Sequence, residues 1–68
     1  MKAVSIFSGA GGMDLGFTHA GFEIIWANDI SQYACKTYEK NLKLKPVNQD
    51  IRRIKNIPQA DVLIACNP

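Results

Sequence analysis

Residues 3–12 read AVSIFSGAGG, a short apolar run followed directly by a glycine-rich turn cluster. Its first half, Ala3 to Phe7, is mostly apolar and includes valine and isoleucine, which is typical of a short buried strand. The second half, Ser8 to Gly12, is a turn cluster that ends the strand. Its glycines let the backbone approach a ligand and leave amide groups near the positive end of a following helix. The stretch therefore predicts a strand, a ligand-binding turn and a helix.

Strands and helices alternate along the rest of the chain. Helices are expected over residues 12–20, with an apolar stripe of Met13, Gly16, Phe17 and Ala20, and over residues 32–41, capped by Ser31. Further strands are expected over residues 22–28, 47–49 and 61–66. With right-handed crossovers, this alternation predicts an α/β fold, half of a doubly wound parallel sheet with strand order 3-2-1-4.

The composition indicates one small globular domain. The chain has 68 residues, 47% of them hydrophobic and 21% charged, with a net charge of +2. These values exclude a disordered tail, a collagen-like chain and a coiled coil. The longest apolar run, Val62 to Cys66, is too short to cross a membrane, and no signal peptide is recognisable. We therefore expect a cytoplasmic protein, and one so small is expected to be only marginally stable alone.

Neither the cysteines nor the histidine indicate a metal site or a disulfide, and the tyrosines are expected to have structural roles. Cys35 and Cys66 have no cluster of cysteine or histidine near them, so both are expected to be buried thiols. His19 has no partner at metal-ligand spacing and is expected to be solvated. Tyr33 and Tyr38 are expected to be packing residues of the second helix.

The glycine turn excludes two common phosphate sites, and two acids beside it indicate the kind of ligand. Asp14 stands where a dinucleotide fingerprint needs glycine, and Phe17 where a phosphate loop needs lysine. Asp29 ends the second strand, where such folds place an acid for ribose hydroxyls, and Asp50 ends the third. Two acids favour a ligand with ribose and adenine but no phosphate, a description that S-adenosylmethionine meets. Alternatively, each acid caps the turn that follows it.

Four segments, in order, resemble a known family. Residues 7–17 (FSGAGGMDLGF) resemble the first motif of the DNA cytosine-C5 methyltransferases. Residues 26–30 (WANDI) resemble the second motif, residues 48–51 (NQDI) the third, and residues 61–68 (DVLIACNP) the approach to the fourth. The resemblance implies that residues 1–68 are the N-terminal part of a Rossmann-like, S-adenosylmethionine-binding catalytic domain. Because the first motif begins so near residue 1, a bacterial or archaeal enzyme is expected.

The resemblance also implies which residues bind the cofactor. Phe7 would pack on the adenine, the turn from Gly9 to Gly12 would hold the methionine end, and Asp29 would bind the ribose hydroxyls. Asp50 would accept a hydrogen bond from the adenine amino group. The full implied set is Phe7, Ser8, Gly9, Ala10, Gly11, Gly12, Asp29, Ile30, Asp50, Ile51 and Pro68. Two positions depart from the family's usual pattern: aspartate replaces the more common glutamate at 29, and isoleucine replaces an aromatic residue found in some members at 30.

The family's nucleophile is not in this sequence. It is a cysteine directly after the proline of the fourth motif, which corresponds to Pro68, the last residue here. Cys66 lies two residues earlier, on the apolar fourth strand, and is expected to be a packing thiol with an ordinary pKa. The resemblance therefore implies a chain that binds cofactor but is inactive alone. Double-stranded DNA would be bound by the complete enzyme, with the remaining part either covalently continuous or a second chain.

Two other interpretations remain open. A non-catalytic subunit that completes its sheet with a second chain would fit the small size and the open outer edge of the fourth strand. A nicotinamide-dependent oxidoreductase half-domain would fit the strand and helix pattern with an acid after the second strand. That interpretation lacks the third glycine of the fingerprint.

Overall fold

The chain folds into alternating strands and helices. The computed structural model describes residues 1–65. Its strands are β1 (Lys2–Ile6), β2 (Glu23–Asp29), β3 (Val47–Asn48) and β4 (Val62–Ala65). Its α-helices are α1 (Gly12–His19) and α2 (Gln32–Leu42), and a single 3-10 turn covers Ile51–Arg53. Residues 66–68 lie outside the described part, so the expectation for Cys66 is not tested.

The strands form one parallel sheet in the predicted order. The order is β3-β2-β1-β4, which confirms half of a doubly wound sheet. In the central pair Ser5 lies beside Ala27, and on the other side of β1 it lies beside Ile64. Because all strands are parallel, their carboxyl ends meet at one edge, where the turn after β1 and the acids after β2 and β3 come together.

The core lies between the sheet and the two helices. Its buried apolar residues include Ala3, Ala27, Tyr38 and Ile64. The side chain of Ser5 reaches α1, so Ser5 and its neighbours Ala27 and Ile64 face the helices. Leu63 pairs with Val4 on the opposite face and is 62% exposed. The helix-bearing face is therefore the better covered of the two.

The apolar stripe expected on α1 does not face the core. Met13 is 49% exposed, Ala20 is also exposed, and the buried side chain of the helix is Asp14. The reason is that two hydroxyl groups on β1 and α2 converge on the Asp14 carboxylate and turn that polar face of α1 inward. Phe17 keeps an apolar contact, an edge-to-face pair with Phe22 at 5.3 Å between ring centroids.

The remaining expectations for single side chains have mixed outcomes. Tyr38 and Cys35 are buried, as predicted, whereas Tyr33 is 83% exposed and that prediction is wrong. Tyr33 is two residues before Cys35 and five before Tyr38, which places it on the opposite face of α2 from these two buried side chains. Ser31 caps α2 as predicted, its hydroxyl oxygen accepting from the Ala34 amide at 3.2 Å. Within residues 1–65, no helix is long and apolar enough to cross a membrane, and no cluster of metal-ligating side chains occurs.

Candidate cofactor site

The turn between β1 and α1 has an unusual backbone. Phe7, Gly9 and Gly11 all have positive φ, at 52°, 59° and 94°. At Phe7 this conformation is costly because a side chain is present, and such strain is typical of functional sites. The amide of Ser8 donates to the Asn28 carbonyl at 2.8 Å, which ties the turn to the end of β2. A side chain added at Gly9 or Gly12 would meet no atom within 4 Å, so the space over the turn is open.

Asp29 ends β2 and connects the turn to the start of α2. One carboxylate oxygen accepts from the Gly9 amide at 2.8 Å, and the other accepts from the Ser31 amide at 2.8 Å. The capping alternative is therefore present in the structure. A carboxylate has about four acceptor positions, however, so each oxygen can still accept a second donor such as a ribose hydroxyl.

Asp50 precedes the 3-10 turn and is paired with Arg52. Its carboxylate accepts from the Arg52 amide at 2.9 Å and from the guanidinium at 2.6 Å. The hydrogen bonds from the Arg52 side chain are the main reason why the pKa of Asp50 falls to about 2. Asp50 therefore caps the following turn, as the alternative predicted, and stays an ionised acceptor at neutral pH.

A pocket of about 320 Å³ opens beside these acids. Its lining comes from three parts of the chain: Phe7, Asn28, Ile30, Gln49, Asp50, Ile51 and Arg52. The fold thus brings together Phe7, Ile30, Asp50 and Ile51 from the implied set. The turn residues and Asp29 lie beside this pocket rather than in its lining, and Ala10 is exposed. Pro68 lies outside the described residues.

The comparison with known proteins agrees with these features. A family model described as C-5 cytosine-specific DNA methylase matches residues 1–68. The chain belongs to the C-5 cytosine-specific DNA methylase family. The predicted resemblance is thereby confirmed, and the parallel sheet of order β3-β2-β1-β4 corresponds to the N-terminal part of a Rossmann-like methyltransferase domain.

Individual relatives are all much longer than this chain. The Type II methyltransferase M.FnuDI of Fusobacterium nucleatum is 51% identical over 70 residues, covering 100% of this chain and 20% of that protein. Type II methyltransferase M.NgoFVII of Neisseria gonorrhoeae is 44% identical over 98% of this chain and 19% of its own length. DNA (cytosine-5-)-methyltransferase M.ApeKI of Aeropyrum pernix is 44% identical over 97% and 14%. The chain thus spans about a fifth or less of these methylases.

A buried polar cluster behind the turn was missed in the sequence. Asp14 is 1% exposed, and its two oxygens accept from the Ser5 hydroxyl at 2.9 Å and from the Tyr38 hydroxyl at 2.6 Å. Burial, and then the hydrogen bond to Asp14, raise the pKa of Tyr38 far above its usual value, so the phenol stays protonated. In the sequence, Asp14 stands out only as a mismatch to a glycine pattern. The available signal was a serine inside a strand followed by an acid in the first turn of a helix.

The buried environments of Asn28 and Ser8 were likewise not visible in the sequence. The buried amide of Asn28 donates to the carbonyls of Val47 at 3.0 Å and Gln49 at 2.7 Å, fixing β3 against β2. The Ser8 hydroxyl oxygen is buried and has no hydrogen-bond partner among residues 1–65. A buried unpaired hydroxyl costs about 1–3 kcal/mol, so its retention at the turn requires an explanation.

Proposed function

We propose that this chain forms the S-adenosylmethionine-binding part of a DNA cytosine-C5 methyltransferase. One observation carries the proposal: in a member of the C-5 cytosine methylase family, Phe7, Ile30 and Asp50 line one pocket next to Asp29. The pocket combines an aromatic ring, aliphatic side chains and the Asp50 carboxylate, with the Asp29 carboxylate beside it, which is the chemistry that an adenosine needs. The whole protein's action on DNA is part of this proposal, since the chain spans only about a fifth of its relatives.

The residues of the pocket fit the adenosine half of the cofactor. The Phe7 ring offers a face for the adenine, and Ile30 and Ile51 offer apolar contacts. The ionised carboxylate of Asp50 can accept only, so it suits the adenine amino group as donor. Asp29 keeps acceptor capacity on both oxygens for the ribose hydroxyls. Arg52 offsets the charge of Asp50, but Asp29 has no ion-pair partner among residues 1–65 and still disfavours a phosphate beside it, which argues against a dinucleotide.

The glycine turn fits the methionine end. The open space over Gly9 and Gly12 admits a ligand close to the backbone. The unpaired hydroxyl of Ser8 is a buried polar atom in that same turn, and a polar ligand group would supply its missing partner. These features support the placement of Ser8, Gly9, Ala10, Gly11 and Gly12 in the cofactor site.

The bound cofactor supplies the methyl group that is transferred to C5 of cytosine. This chain's own residues orient it, because a methyl transfer requires the donor to be held in line with the target carbon. The target base must leave the DNA stack to be reached, and the nucleophile that activates it is expected directly after Pro68. Catalysis and DNA binding therefore require the remaining part of the enzyme, covalently continuous or as a second chain.

Calorimetric titration of the chain with S-adenosylhomocysteine tests the proposal. This analogue shares the adenosine and the amino-acid end but has no methyl group to transfer. We expect one binding site per chain, loss of binding in D29A, and no binding of NAD. Retained affinity in D29A, or equal binding of NAD, would contradict the proposal. D61N is the matched control, because Asp61 is exposed and contacts the Lys2 amide at the opposite end of β1.

Activity is tested in a chimera. The 68-residue chain replaces the matching segment of M.FnuDI, to which it is 51% identical. We expect the chimera to transfer a labelled methyl group to cytosine in duplex DNA and its D29A variant to do so with a raised KM for the cofactor. A folded chimera without transfer would refute the assignment.

A further inference from the structure

We propose that Asp14, Ser5 and Tyr38 act as a positioning device that sets the shape of the glycine turn and thereby the affinity for the methionine end of the cofactor. The inference rests on the proposed function and deepens it. Asp14 lies behind the turn, outside the pocket lining, so its action passes through its neighbours.

The cluster is closed and fully buried. Ser5 and Tyr38 are each 0% exposed, and Asp14 is 1% exposed. The carboxylate has no cationic partner among residues 1–65 and depends on two hydroxyl donors, at 2.9 Å from Ser5 and 2.6 Å from Tyr38. A buried carboxyl group that lost its hydrogen-bond partners would be costly, so Asp14 and the two hydroxyls hold one another in place. The cluster therefore fixes β1, α1 and α2 relative to one another.

Tyr38 connects the cluster to the turn. Its hydroxyl bonds Asp14, while its ring lies so close to Gly11 that an added Cβ there would come within 2.9 Å of Cδ2. Gly11 is the residue directly before α1, and its carbonyl oxygen accepts a hydrogen bond from the Leu15 amide at 2.8 Å. The hydroxyl of this tyrosine thus contacts the first turn of α1, and its ring contacts Gly11, the residue directly before the helix. A shift of either contact changes the direction of the turn's amide groups.

The position of the cluster predicts a selective effect. Its contacts reach Gly11 and the start of α1, which belong to the turn that would hold the methionine end. The pocket for the adenine is lined by other residues, among them Ile30, Asp50 and Ile51. Loosening the cluster should therefore lower the affinity for ligands that carry the amino-acid end and leave the affinity for adenosine almost unchanged.

The test compares two ligands on two tyrosine variants. Y38F removes the hydroxyl that bonds Asp14 and keeps the ring against Gly11, and Y33F makes the same change on the same helix at an exposed position. Calorimetry gives the Kd of S-adenosylhomocysteine and of adenosine. For Y38F we expect about a tenfold increase in Kd for S-adenosylhomocysteine, which corresponds to about 1.4 kcal/mol, and less than about a twofold change for adenosine. Y33F should change neither value.

The outcomes separate this inference from the proposed function. If the unmodified chain binds neither ligand, the proposed function fails. If it binds both ligands and Y38F lowers both affinities equally, or lowers neither, the positioning role alone is refuted and the proposed function stands.

S5A removes the second hydroxyl donor to Asp14 and must show the same selectivity between the two ligands. D14N, which keeps one acceptor oxygen, must be less affected than D14A, and circular dichroism establishes that each variant is folded. If the isolated variants do not fold, the same comparison in the M.FnuDI chimera decides.

Discussion

At the residue scale, Gly11 shows why the turn requires glycine at a particular position. Its φ is 94°, and an added Cβ would contact Leu42 and lie 2.9 Å from the Tyr38 ring. Left-handed backbone costs a non-glycine residue about 1–2 kcal/mol, and forcing atoms into a packed site costs about 1–3 kcal/mol more. By contrast, an added Cβ at Gly16, in α1, meets nothing within 4 Å.

The pair Gly11 and Gly16 gives a matched prediction for stability. We expect G11A to lower the free energy of unfolding by about 2–5 kcal/mol, the sum of strain and overlap. G16A should raise it by about 0.5–1 kcal/mol, because alanine restricts the unfolded chain and favours the helix. Urea denaturation of both variants measures the difference. Equal effects would show that the turn tolerates a side chain at residue 11.

A second effect between single residues is the pairing of Arg52 with Asp50, which lowers the pKa of Asp50. Hydrogen bonds from Arg52 hold the pKa of Asp50 at about 2 instead of its ordinary value of 3.8. Since the folded pKa is depressed, the pair's contribution to stability is present above about pH 4 and is lost as the pH falls toward 2. In R52Q we expect the pKa to return toward 3.8, and in R53Q to stay near 2, because Arg53 acts only as a distant charge. Carboxyl carbon shifts in an NMR titration measure this, and an unchanged pKa in R52Q would contradict the pairing.

The acids and glycines of the site were predictable because they follow strands in a regular order. Asp29 and Asp50 end strands that were visible as apolar runs, and parallel strands place such residues at one edge. The role of Asp14 was not predictable in the same way, since its partners Ser5 and Tyr38 are 9 and 24 residues away. Contacts at that separation depend on how helices pack on the sheet, which no local pattern encodes.

At the scale of elements, the boundaries of β1, β2, α2 and β3 all came within one residue of prediction. The third strand was expected over three residues and has two, Val47–Asn48. Its short ladder is supported by side chains: Asn28 donates to two carbonyls around β3, and Asn48 donates to the carbonyls of Asp29 and Ile30. The sequence predicted where this strand lies but not how it is held, because its attachment depends on the amides of Asn28 and Asn48.

Replacing Asn28 should therefore loosen β3 in particular. In N28D two amide hydrogen bonds are replaced by a carboxylate facing the carbonyls of Val47 and Gln49. We expect the free energy of unfolding to fall by about 3 kcal/mol, since a buried side chain loses both of its partners. Amide hydrogen exchange should accelerate in residues 47–51 before it does in β1. N56D, the same change at an exposed position, should alter stability by less than about 0.5 kcal/mol. Uniform acceleration across the sheet would show that Asn28 supports the whole fold instead of β3.

At the scale of the whole molecule, the fold class and strand order were predictable because right-handed crossovers leave few arrangements. The uneven coverage of the sheet was not predictable. The helices cover the face of Ile64, whereas Leu63 on the opposite face of β4 is 62% exposed. Two relatives about five times as long are 51% and 44% identical to this part. The site at the carboxyl edge is thus expected to bind cofactor within a larger catalytic protein.

Cofactor binding and methyl transfer are expected to require different lengths of the protein. We expect the 68-residue chain alone to bind S-adenosylhomocysteine and to transfer no methyl group to DNA, since the expected nucleophile follows Pro68. The M.FnuDI chimera, which restores the remaining part, should transfer it. Incorporation of a labelled methyl group into cytosine is measured for both, with ligand binding measured in the same samples so that an unfolded chain is recognised. Transfer by the chain alone would mean that a group within these residues activates cytosine. Cys66 would then be the first residue to replace, by serine, because it is the thiol nearest to the expected position.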